Sequence, residues 1–167
     1  MKKIGLMSDT HSYLDETLLT HFQHCDEIWH AGDIGNPLVA DRLEAFKPFR
    51  AVFGNIDGQE IRRRYPENLR FECAGLDVLI THIGGYPGKY NQRVRPIIQS
   101  DPPGLFICGH SHILKVMHDK QLGILHLNPG ASGKEGFHRM RTAMRFEIEN
   151  GKVQKLEVIE LGLRGQL

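Results

Sequence analysis

Short apolar runs alternate with polar, glycine-containing segments along this chain of 167 residues. Continuous apolar runs of about four to eight residues are typical of buried strands, whereas apolar residues three and four apart indicate one face of a helix. The first part of the chain alternates the two patterns. It predicts strands at Lys2–Met7, Glu27–His30 and 49–53 and helices at 14–22, 36–46 and 60–65.

One of these helices has a clear start signal. Asn36 is a favourable N-cap, and Pro37 suits the first helical position, where its missing N–H costs nothing. We expect the apolar face of this helix to bury four side chains, namely Leu38, Val39, Leu43 and Phe46.

The second part of the chain changes to hairpins. Asn150-Gly151 is a strong two-residue hairpin signal, and Ala74-Gly75 is a second turn of this kind. Between them the pattern predicts a loop at 83–88, a helix at 91–100, and strands at 69–73, Leu76–Thr81, 105–108, 115–118, 124–127, 142–149 and 152–161. Alternation followed by hairpins predicts an α/β fold, a two-sheet sandwich flanked by helices.

Carboxylate, imidazole and amide side chains follow five of the predicted strands. Sites in open α/β sheets form beyond the carboxyl ends of strands, so we expect these side chains to meet. Together they offer enough donors for two divalent metal ions, a recurring device for hydrolysing phosphate esters. The seven candidate metal ligands are Asp9, His11, Asp33, Asn55, His82, His110 and His112.

The mixture of donors also indicates which metals would bind. Carboxylate and imidazole together favour manganese, iron, zinc or nickel over calcium. Asp33 is the natural bridge, because one carboxylate can give an oxygen to each ion. Taken singly, Asp9 is equally well explained as a loop or N-cap residue, and Asn55 as a turn former. The prediction rests on their joint placement.

Composition excludes some classes of partner. The formal net charge is +1, so we expect no strong general attraction to nucleic acid, and no attraction to anionic membranes. No stretch approaches membrane-spanning length. The three cysteines form no Cys-x-x-Cys pair and indicate reduced thiols in a cytoplasmic protein. Apolar residues of the last strand fit either the core or a subunit interface, which leaves a homo-oligomer open.

The motifs as they stand are Asp9-Thr10-His11, Gly32-Asp33, Gly54-Asn55-Ile56-Asp57, His82 and Gly109-His110-Ser111-His112. In this order they resemble the calcineurin-like metallophosphoesterases, specifically the small single-domain bacterial and archaeal phosphodiesterases. The segment Asn128-Pro129-Gly130-Ala131-Ser132 also resembles an Asn-Pro-Gly-Ser stretch of that subgroup. The resemblance covers residues 4 to about 148 and implies one metallophosphoesterase domain over 1–167.

The resemblance implies a role for each ligand. Two metal ions, manganese first among the candidates, would hold a bridging hydroxide that attacks the phosphorus of a small-molecule or single-stranded phosphodiester or a nucleotide. Asp33, Asn55 and His82 would then act as catalytic residues. One ion would take Asp9, His11, Asp33 and His112, and the other Asp33, Asn55, His82 and His110.

Two departures from the family pattern bear on activity. Ile56 stands where many relatives carry a histidine that serves as general acid or charge stabiliser, a contribution typically worth about 10²–10⁴-fold. Ile83-Gly84 follows His82 where relatives often read Gly-His, so one imidazole is missing. Two alternatives to a phosphodiesterase remain. One is a protein-binding scaffold on the same fold, as in a retromer subunit that has lost part of its metal set. The other is a phosphomonoesterase.

Residues around the motifs offer weaker expectations. Lys89 and Arg93 are candidates for substrate binding, because both follow the His82 loop closely. His30 either orients a metal ligand through a hydrogen bond or is a buried core histidine. Asp57 either supports a neighbouring ligand or stabilises its own turn. The Arg62-Arg63-Arg64 run is either a phosphate contact or a solvated face.

Overall fold

The fold is a sandwich of two five-stranded sheets with short helices on the outer faces. It is described here from a computed structural model for residues 1–165, so the last two positions of the expected 1–167 domain lie outside the described residues. The strands of the first sheet are β1 (Lys2–Met7), β2 (Glu27–His30), β3 (Phe49–Ala51), β11 (Met140–Glu149) and β12 (Lys152–Leu163). Those of the second are β4 (Asn68–Cys73), β5 (Leu76–Thr81), β8 (Leu105–Ile107), β9 (Leu114–Asp119) and β10 (Ile124–Pro129).

Four short helices and a small hairpin complete the described elements. The hairpin consists of β6 (Gly85–Tyr86) and β7 (Lys89–Tyr90). The helices are α1 (Glu16–His21), α2 (Pro37–Phe46), α3 (Gln59–Arg64) and α4 (Arg95–Ser100). Within residues 1–165, no helix has both the length and the apolarity needed to cross a membrane.

The parallel strands form one side of the first sheet and the centre of the second. The first sheet runs β12-β11-β1-β2-β3, with β1, β2 and β3 parallel. The second runs β4-β5-β8-β10-β9, with β5, β8 and β10 parallel. Parallel strands need crossovers and antiparallel ones only tight turns. This difference accounts for the helices that connect β1, β2 and β3 and for the β4–β5, β9–β10 and β11–β12 hairpins at sheet edges.

Three apolar clusters hold the layers together. The central cluster lies between the sheets, where Trp29 packs edge-to-face against Phe71 and Phe146. A second cluster joins α1 and α2 to the outer face of the first sheet and includes Phe22 and Leu43. The third packs α4 onto the second sheet. Both faces of the parallel strands are therefore covered, as all-parallel arrangements require.

The predicted fold class, an α/β two-sheet sandwich flanked by helices, is confirmed. Both predicted turns are two-residue hairpin turns with positive φ at each position, including Ala74 (47°) and Asn150 (51°). Asn36 caps α2, since its side chain accepts a hydrogen bond from the Leu38 N–H at 3.0 Å. Local turn and cap chemistry therefore acts as predicted.

Some local predictions were wrong. Leu38 is 69% exposed rather than buried, because it lies in the first turn of α2 on the side away from the sheet. The predicted helix over 91–100 begins only at Arg95, next to a proline that suits a helix start. The predicted loop at 83–88 contains β6 and the start of its turn into β7. The predicted strand at 49–53 ends at Ala51.

The two leucines of α2 provide a test of this packing. Leu43 is fully buried beneath α2, so Leu43→Ala removes packed atoms and should lower the free energy of unfolding by about 2–5 kcal/mol. Leu38→Ala on the same helix should change it by less than about 0.5 kcal/mol, because Leu38 is exposed. Urea denaturation of the metal-free proteins measures both values. Equal losses would contradict the orientation of α2.

Candidate metal centre

The carboxyl ends of five strands deliver the seven candidate ligands to one edge of the sandwich. β1 leads to Asp9 and His11, β2 to Asp33, β3 to Asn55, β5 to His82, and β8 to His110 and His112. These strands come from both sheets, so the site spans the junction between them. Residues up to 103 positions apart in the sequence, Asp9 and His112, are therefore brought within a few ångström of one another.

The backbone at this edge is strained. Five of the seven ligands have positive φ, a conformation that costs non-glycine residues of order 1–3 kcal/mol: Asp9 (54°), His11 (45°), Asp33 (57°), His110 (69°) and His112 (59°). Backbone hydrogen bonds between the loops hold this conformation. The N–H groups of Asp9 and His11 donate to the carbonyls of Gly32 and Asp33, each at 3.0 Å. Strain of this kind aims the side chains at a common centre.

The donor atoms fall into two groups, each within 4.8 Å of its own members. One consists of Asp9, His11 and His112, and the other of Asp33, His82 and His110. His112 Nε2 lies 3.1 Å from Asp9 Oδ1 in the first group. His82 Nε2 lies 3.1 Å from Asp33 Oδ2 in the second.

Asp33 links the two groups. Its Oδ2 lies 3.4 Å from His11 Nε2 in the first group as well as 3.1 Å from His82 Nε2 in the second. Asn55 belongs to the second group, since its Oδ1 lies 3.1 Å from His82 Nε2 and 3.0 Å from His110 Nδ1. All seven predicted ligands are therefore brought together, with Asp33 in the shared position.

The donors fit a pair of divalent cations. Asp9 Oδ1 and His11 Nε2 are buried and have no hydrogen-bond partner of proper geometry among residues 1–165. Such a buried orphan costs about 1–3 kcal/mol, and a cation at this point would satisfy both atoms. The set of two carboxylates, four imidazoles and one amide oxygen suits the borderline ions predicted from the sequence.

The charges of the donor side chains show the same fit. Burial opposes ionisation of Asp33, yet the imidazoles of His11 and His82 hold the pKa of its carboxyl well below the usual range. Asp9 behaves in the same way beside His11 and His112. In return, Asp33 first and Asp9 second raise the pKa of His11 to about 10. Protons on His11 and His82, whose pKa values are raised, thus balance the carboxylates, and a metal cation would displace them.

Two glycines allow the loops to approach this closely. A Cβ atom on Gly54 would collide with the side chain and backbone N of Asp33. A Cβ on Gly109 would collide with Ser8 Oγ and lie 2.7 Å from Asp9 Oδ2. Each glycine therefore lets a neighbouring strand end pass directly against a carboxylate of the site.

Asp57 and His30 lie behind the ligands. Asp57 accepts hydrogen bonds from the N–H groups of Gly54 (2.8 Å), Gly35 (2.8 Å) and Ile34 (3.2 Å), which ties the Asn55 loop to the Asp33 loop. His30 is fully buried, and burial lowers its pKa to about 3, so the ring is neutral. Both side chains fix the loops and contact no ligand donor atom.

The neutral His30 ring joins two ligand loops. Its Nδ1 accepts from the Gly32 N–H at 3.1 Å, which requires the proton to be on Nε2. Nε2 therefore donates to Thr10 Oγ1 at 3.0 Å, and Thr10 Oγ1 donates onward to the Ile34 carbonyl at 2.8 Å. His30 is thus a buried, satisfied histidine that also sets the position of the loops carrying His11 and Asp33.

Lys89 and Arg93 lie on different sides of the site. The Arg93 guanidinium lies beside His82 and Asn55, but it already donates to Asn68 Oδ1 (2.6 Å), Thr81 Oγ1 (2.6 Å) and the Ile83 carbonyl (3.1 Å). Lys89 is exposed on β7 and faces a cavity that includes His110. Of the two, Lys89 is the freer to bind a substrate.

The three arginines of the 62–64 run have different contacts. Arg62 donates to the carbonyl of Asp57 at 2.6 Å and stacks over the Phe53 ring, so it clamps the Asn55 loop from behind. Arg64 pairs with Asp41 and Glu44 on α2. Arg63 is exposed. This run therefore includes a loop clamp as well as a solvated face.

His138 is a functional neighbour that the sequence patterns did not single out. Its Nε2 lies 2.9 Å from the Gly133 carbonyl, and its Nδ1 lies 3.2 Å from His112 Nδ1. A carbonyl only accepts, so His138 carries its proton on Nε2. Burial lowers the pKa of His138, which keeps the ring neutral and leaves a lone pair on Nδ1.

The His138 lone pair determines the tautomer of His112. His112 Nδ1 must carry the proton that it donates to His138, so the lone pair of His112 is on Nε2. That atom faces Asp9 Oδ1 in the candidate centre. Hydrogen bonds of this kind orient metal ligands and raise their basicity. The only sequence signal was a histidine placed a few residues after the 128–132 segment.

Comparison with known proteins places this architecture in a family. Residues 1–151 match the model of the calcineurin-like phosphoesterase superfamily domain. A probable metallophosphoesterase of the archaeon Methanothermobacter thermautotrophicus is 31% identical over 139 residues, which are 77% of this chain and 76% of the relative.

Two solved structures share the fold at lower identity. An archaeal phosphodiesterase superimposes with a TM-score of 0.76 at 23% identity, over 95% of this chain and 99% of its own. Wild-type Vps29 of Entamoeba histolytica complexed with Zn²⁺ superimposes with a TM-score of 0.71 at 16% identity, over 95% of this chain and 98% of its own.

The sandwich and the clustered donors define a metal-binding protein of the phosphoesterase type. This chain belongs to the calcineurin-like phosphoesterase superfamily. The resemblance stated from the sequence motifs is therefore confirmed.

The role of His138 is testable without an activity assay. His138→Phe removes the acceptor for His112 N–H while keeping a ring, so affinity for Mn²⁺ should fall by about 10–100-fold. His138→Asn should restore part of the affinity, because its side-chain oxygen can accept the same hydrogen bond. His21→Phe, at an exposed position on α1, is the matched control. Isothermal titration with Mn²⁺ measures all four proteins, and unchanged affinity in a folded His138→Phe protein would refute the role.

Proposed function

We propose that this protein is a divalent-metal-dependent phosphodiesterase that hydrolyses a small or single-stranded phosphodiester. The observation that carries the proposal is the pair of donor groups joined by Asp33. Superfamily membership supports hydrolysis of a phosphoester, and the archaeal phosphodiesterase shares the fold.

Two ions side by side, with Mn²⁺ the first candidate, would supply Lewis-acid stabilisation of the developing charge and a nucleophilic water at neutral pH. The chain contributes two buried carboxylates whose depressed pKa keeps them ionised. It also holds His82 through an N–H that donates to the Ala31 carbonyl at 2.7 Å, which leaves Nε2 free to bind.

A covalent route through cysteine has no support in the described residues. Cys25, Cys73 and Cys108 are buried, and burial raises the pKa of each thiol. The thiolate is the nucleophilic form of cysteine, so these groups are inert near neutral pH. Their free state also supports the proposal of a cytoplasmic location.

The position of Ile56 bears on the class of ester. Its backbone N–H donates to Asp33 Oδ1 at 3.0 Å, so the residue helps to orient the shared ligand. Its side chain is 46% exposed and can give no proton to a leaving group. Alkyl phosphomonoesters particularly need such assistance. We therefore propose a phosphodiester with a good leaving group, rather than a phosphomonoester, as the preferred class of substrate.

The surroundings fit a small or flexible substrate. The rim of the site carries exposed apolar side chains, with Phe137 fully exposed and Ile113 at 58%. Such side chains suit contact with an aryl group or an unstacked base. A net charge of +1 gives no general attraction to long nucleic acid.

A protein-binding scaffold is the second candidate. It is favoured by β9, an edge strand whose exposed side chains include Leu114 and Val116. Against it, all seven donors are retained and converge. Hydrolysis of any phosphoester that depends on added metal decides between the two candidates.

Substrate preference is the first test of the proposal. With Mn²⁺ or Ni²⁺ added, we expect faster hydrolysis of bis(p-nitrophenyl) phosphate than of p-nitrophenyl phosphate. The aryl leaving group needs little protonation, so Ile56 should not limit the diester reaction. Release of p-nitrophenolate measures both rates, with a chelator-treated sample as the control. A strong preference for the monoester would favour the phosphatase alternative.

The shared position of Asp33 gives a second test. Asp33→Asn should lower the diesterase rate by about 10²–10³-fold or more and reduce the metal content of both sites, since it removes a charge that faces both groups. His112→Ala faces one group, so excess Mn²⁺ should restore part of its activity.

Metal content by elemental analysis and rate at low and high Mn²⁺ separate these outcomes. Full recovery of Asp33→Asn by excess metal would contradict the bridging role, as would a folded variant that keeps two ions and a near-normal rate.

A further inference from the structure

A second cavity opens beside the candidate metal centre. It lies between the β6–β7 hairpin on one side and the loop after β8 with the start of β9 on the other, and it encloses about 250 Å³. His110 borders both this cavity and the metal-binding cluster, so the two are contiguous. Its lining also includes Tyr86, Lys89, Lys115 and His126.

The cavity carries uncompensated positive charge. Within residues 1–165, no carboxylate oxygen lies within 4.0 Å of the ammonium group of Lys89 or Lys115, the two lysines that line it. Lys115 Nζ lies over the Tyr86 ring at 3.6 Å from its centroid, and Tyr86 pairs with Lys89 across the hairpin. The cation–π contact steadies one ammonium group while leaving its charge available.

A buried acceptor lies in the same lining. His126 is 1% exposed, and its Nδ1 lies 3.0 Å from the Phe106 carbonyl, so Nδ1 carries the proton. Burial, with Lys115 contributing, lowers the pKa of His126 to about 4, which keeps the ring neutral. Its Nε2 is therefore an acceptor, and it has no partner among the described residues. An O–H or N–H group of a ligand would satisfy it.

We propose that this cavity is a second anion subsite, which binds a further phosphate carried by the phosphodiester substrate. The inference rests on the proposed function and narrows its substrate class to diesters bearing an additional phosphate close to the scissile one. Two unpaired ammonium groups next to the metal cluster suit a dianionic phosphate better than a neutral group.

The charge at Lys115 is the part of the subsite that can be removed with least disturbance. Lys115→Met keeps the length and apolar stem of the side chain and deletes the ammonium group. Lys120→Met, at an exposed position in the turn after β9, is the matched control for loss of one positive charge. Circular dichroism and thermal unfolding verify that both variants fold.

The test compares two substrates that differ by one phosphate, thymidylyl-thymidine and its 5′-phosphorylated form. With Mn²⁺, wild-type protein and Lys120→Met should favour the phosphorylated dinucleotide in kcat/KM by about tenfold, the size of one charge-assisted contact. Lys115→Met should lose that preference while keeping the wild-type kcat/KM on the unphosphorylated dinucleotide. Equal kcat/KM on both substrates in the wild type would overturn the proposal, as would a preference that survives Lys115→Met.

A binding measurement separates failure of this proposal from failure of the proposed function. If neither dinucleotide is hydrolysed, the rate on bis(p-nitrophenyl) phosphate decides the diesterase proposal, because its leaving group needs little protonation. The subsite is then tested by titrating Mn²⁺-loaded protein with thymidine 3′,5′-bisphosphate and thymidine 5′-monophosphate. Tighter binding of the bisphosphate that disappears in Lys115→Met supports the subsite alone. Equal affinities for the two nucleotides would overturn the subsite independently of catalysis.

Discussion

The shared carboxylate of Asp33 is the contact on which the rest of the site depends. It is almost fully buried, and burying an ionised carboxylate without partners is costly. Imidazoles from two different strand ends and the Ile56 N–H offset that cost. Because those partners come from three separate loops, one charged group determines how closely the loops approach. Removing it would leave the imidazoles of both donor groups without their common counter-charge.

The backbone that carries the ligands also has an energetic cost around Asp33. Five ligands occupy left-handed backbone conformations, and glycines at 54 and 109 are needed where strand ends pass against carboxylates. Local strain of this kind persists only when the surroundings over-determine it. Here the loops are held in these conformations by hydrogen bonds to the buried side chains of Asp57 and His30 and by backbone hydrogen bonds between the loops. The parallel core of each sheet supplies the rigid base from which these loops extend.

The fold by itself does not decide between hydrolysis and protein binding, because one fold can carry unrelated activities. What distinguishes activities on one fold is the site carried by it. This chain combines a complete donor set with His138 behind one ligand and two unpaired lysines beside another. These additions lie outside the family motifs, and they are where the specificity of this particular protein would reside.

Strand patterns and turn residues act locally, so the sequence was sufficient to predict the fold class and the order of most elements. The motifs that follow the strands were sufficient to predict which seven side chains would lie together. Asn36, Ala74-Gly75 and Asn150-Gly151 could be interpreted from neighbouring residues alone. The tertiary structure decided what depends on distant contacts. It exposed Leu38, engaged Arg93 with Asn68 and Thr81, and placed His138 against His112. Such pairings join residues far apart in the chain, and only the packing of the two sheets brings them together.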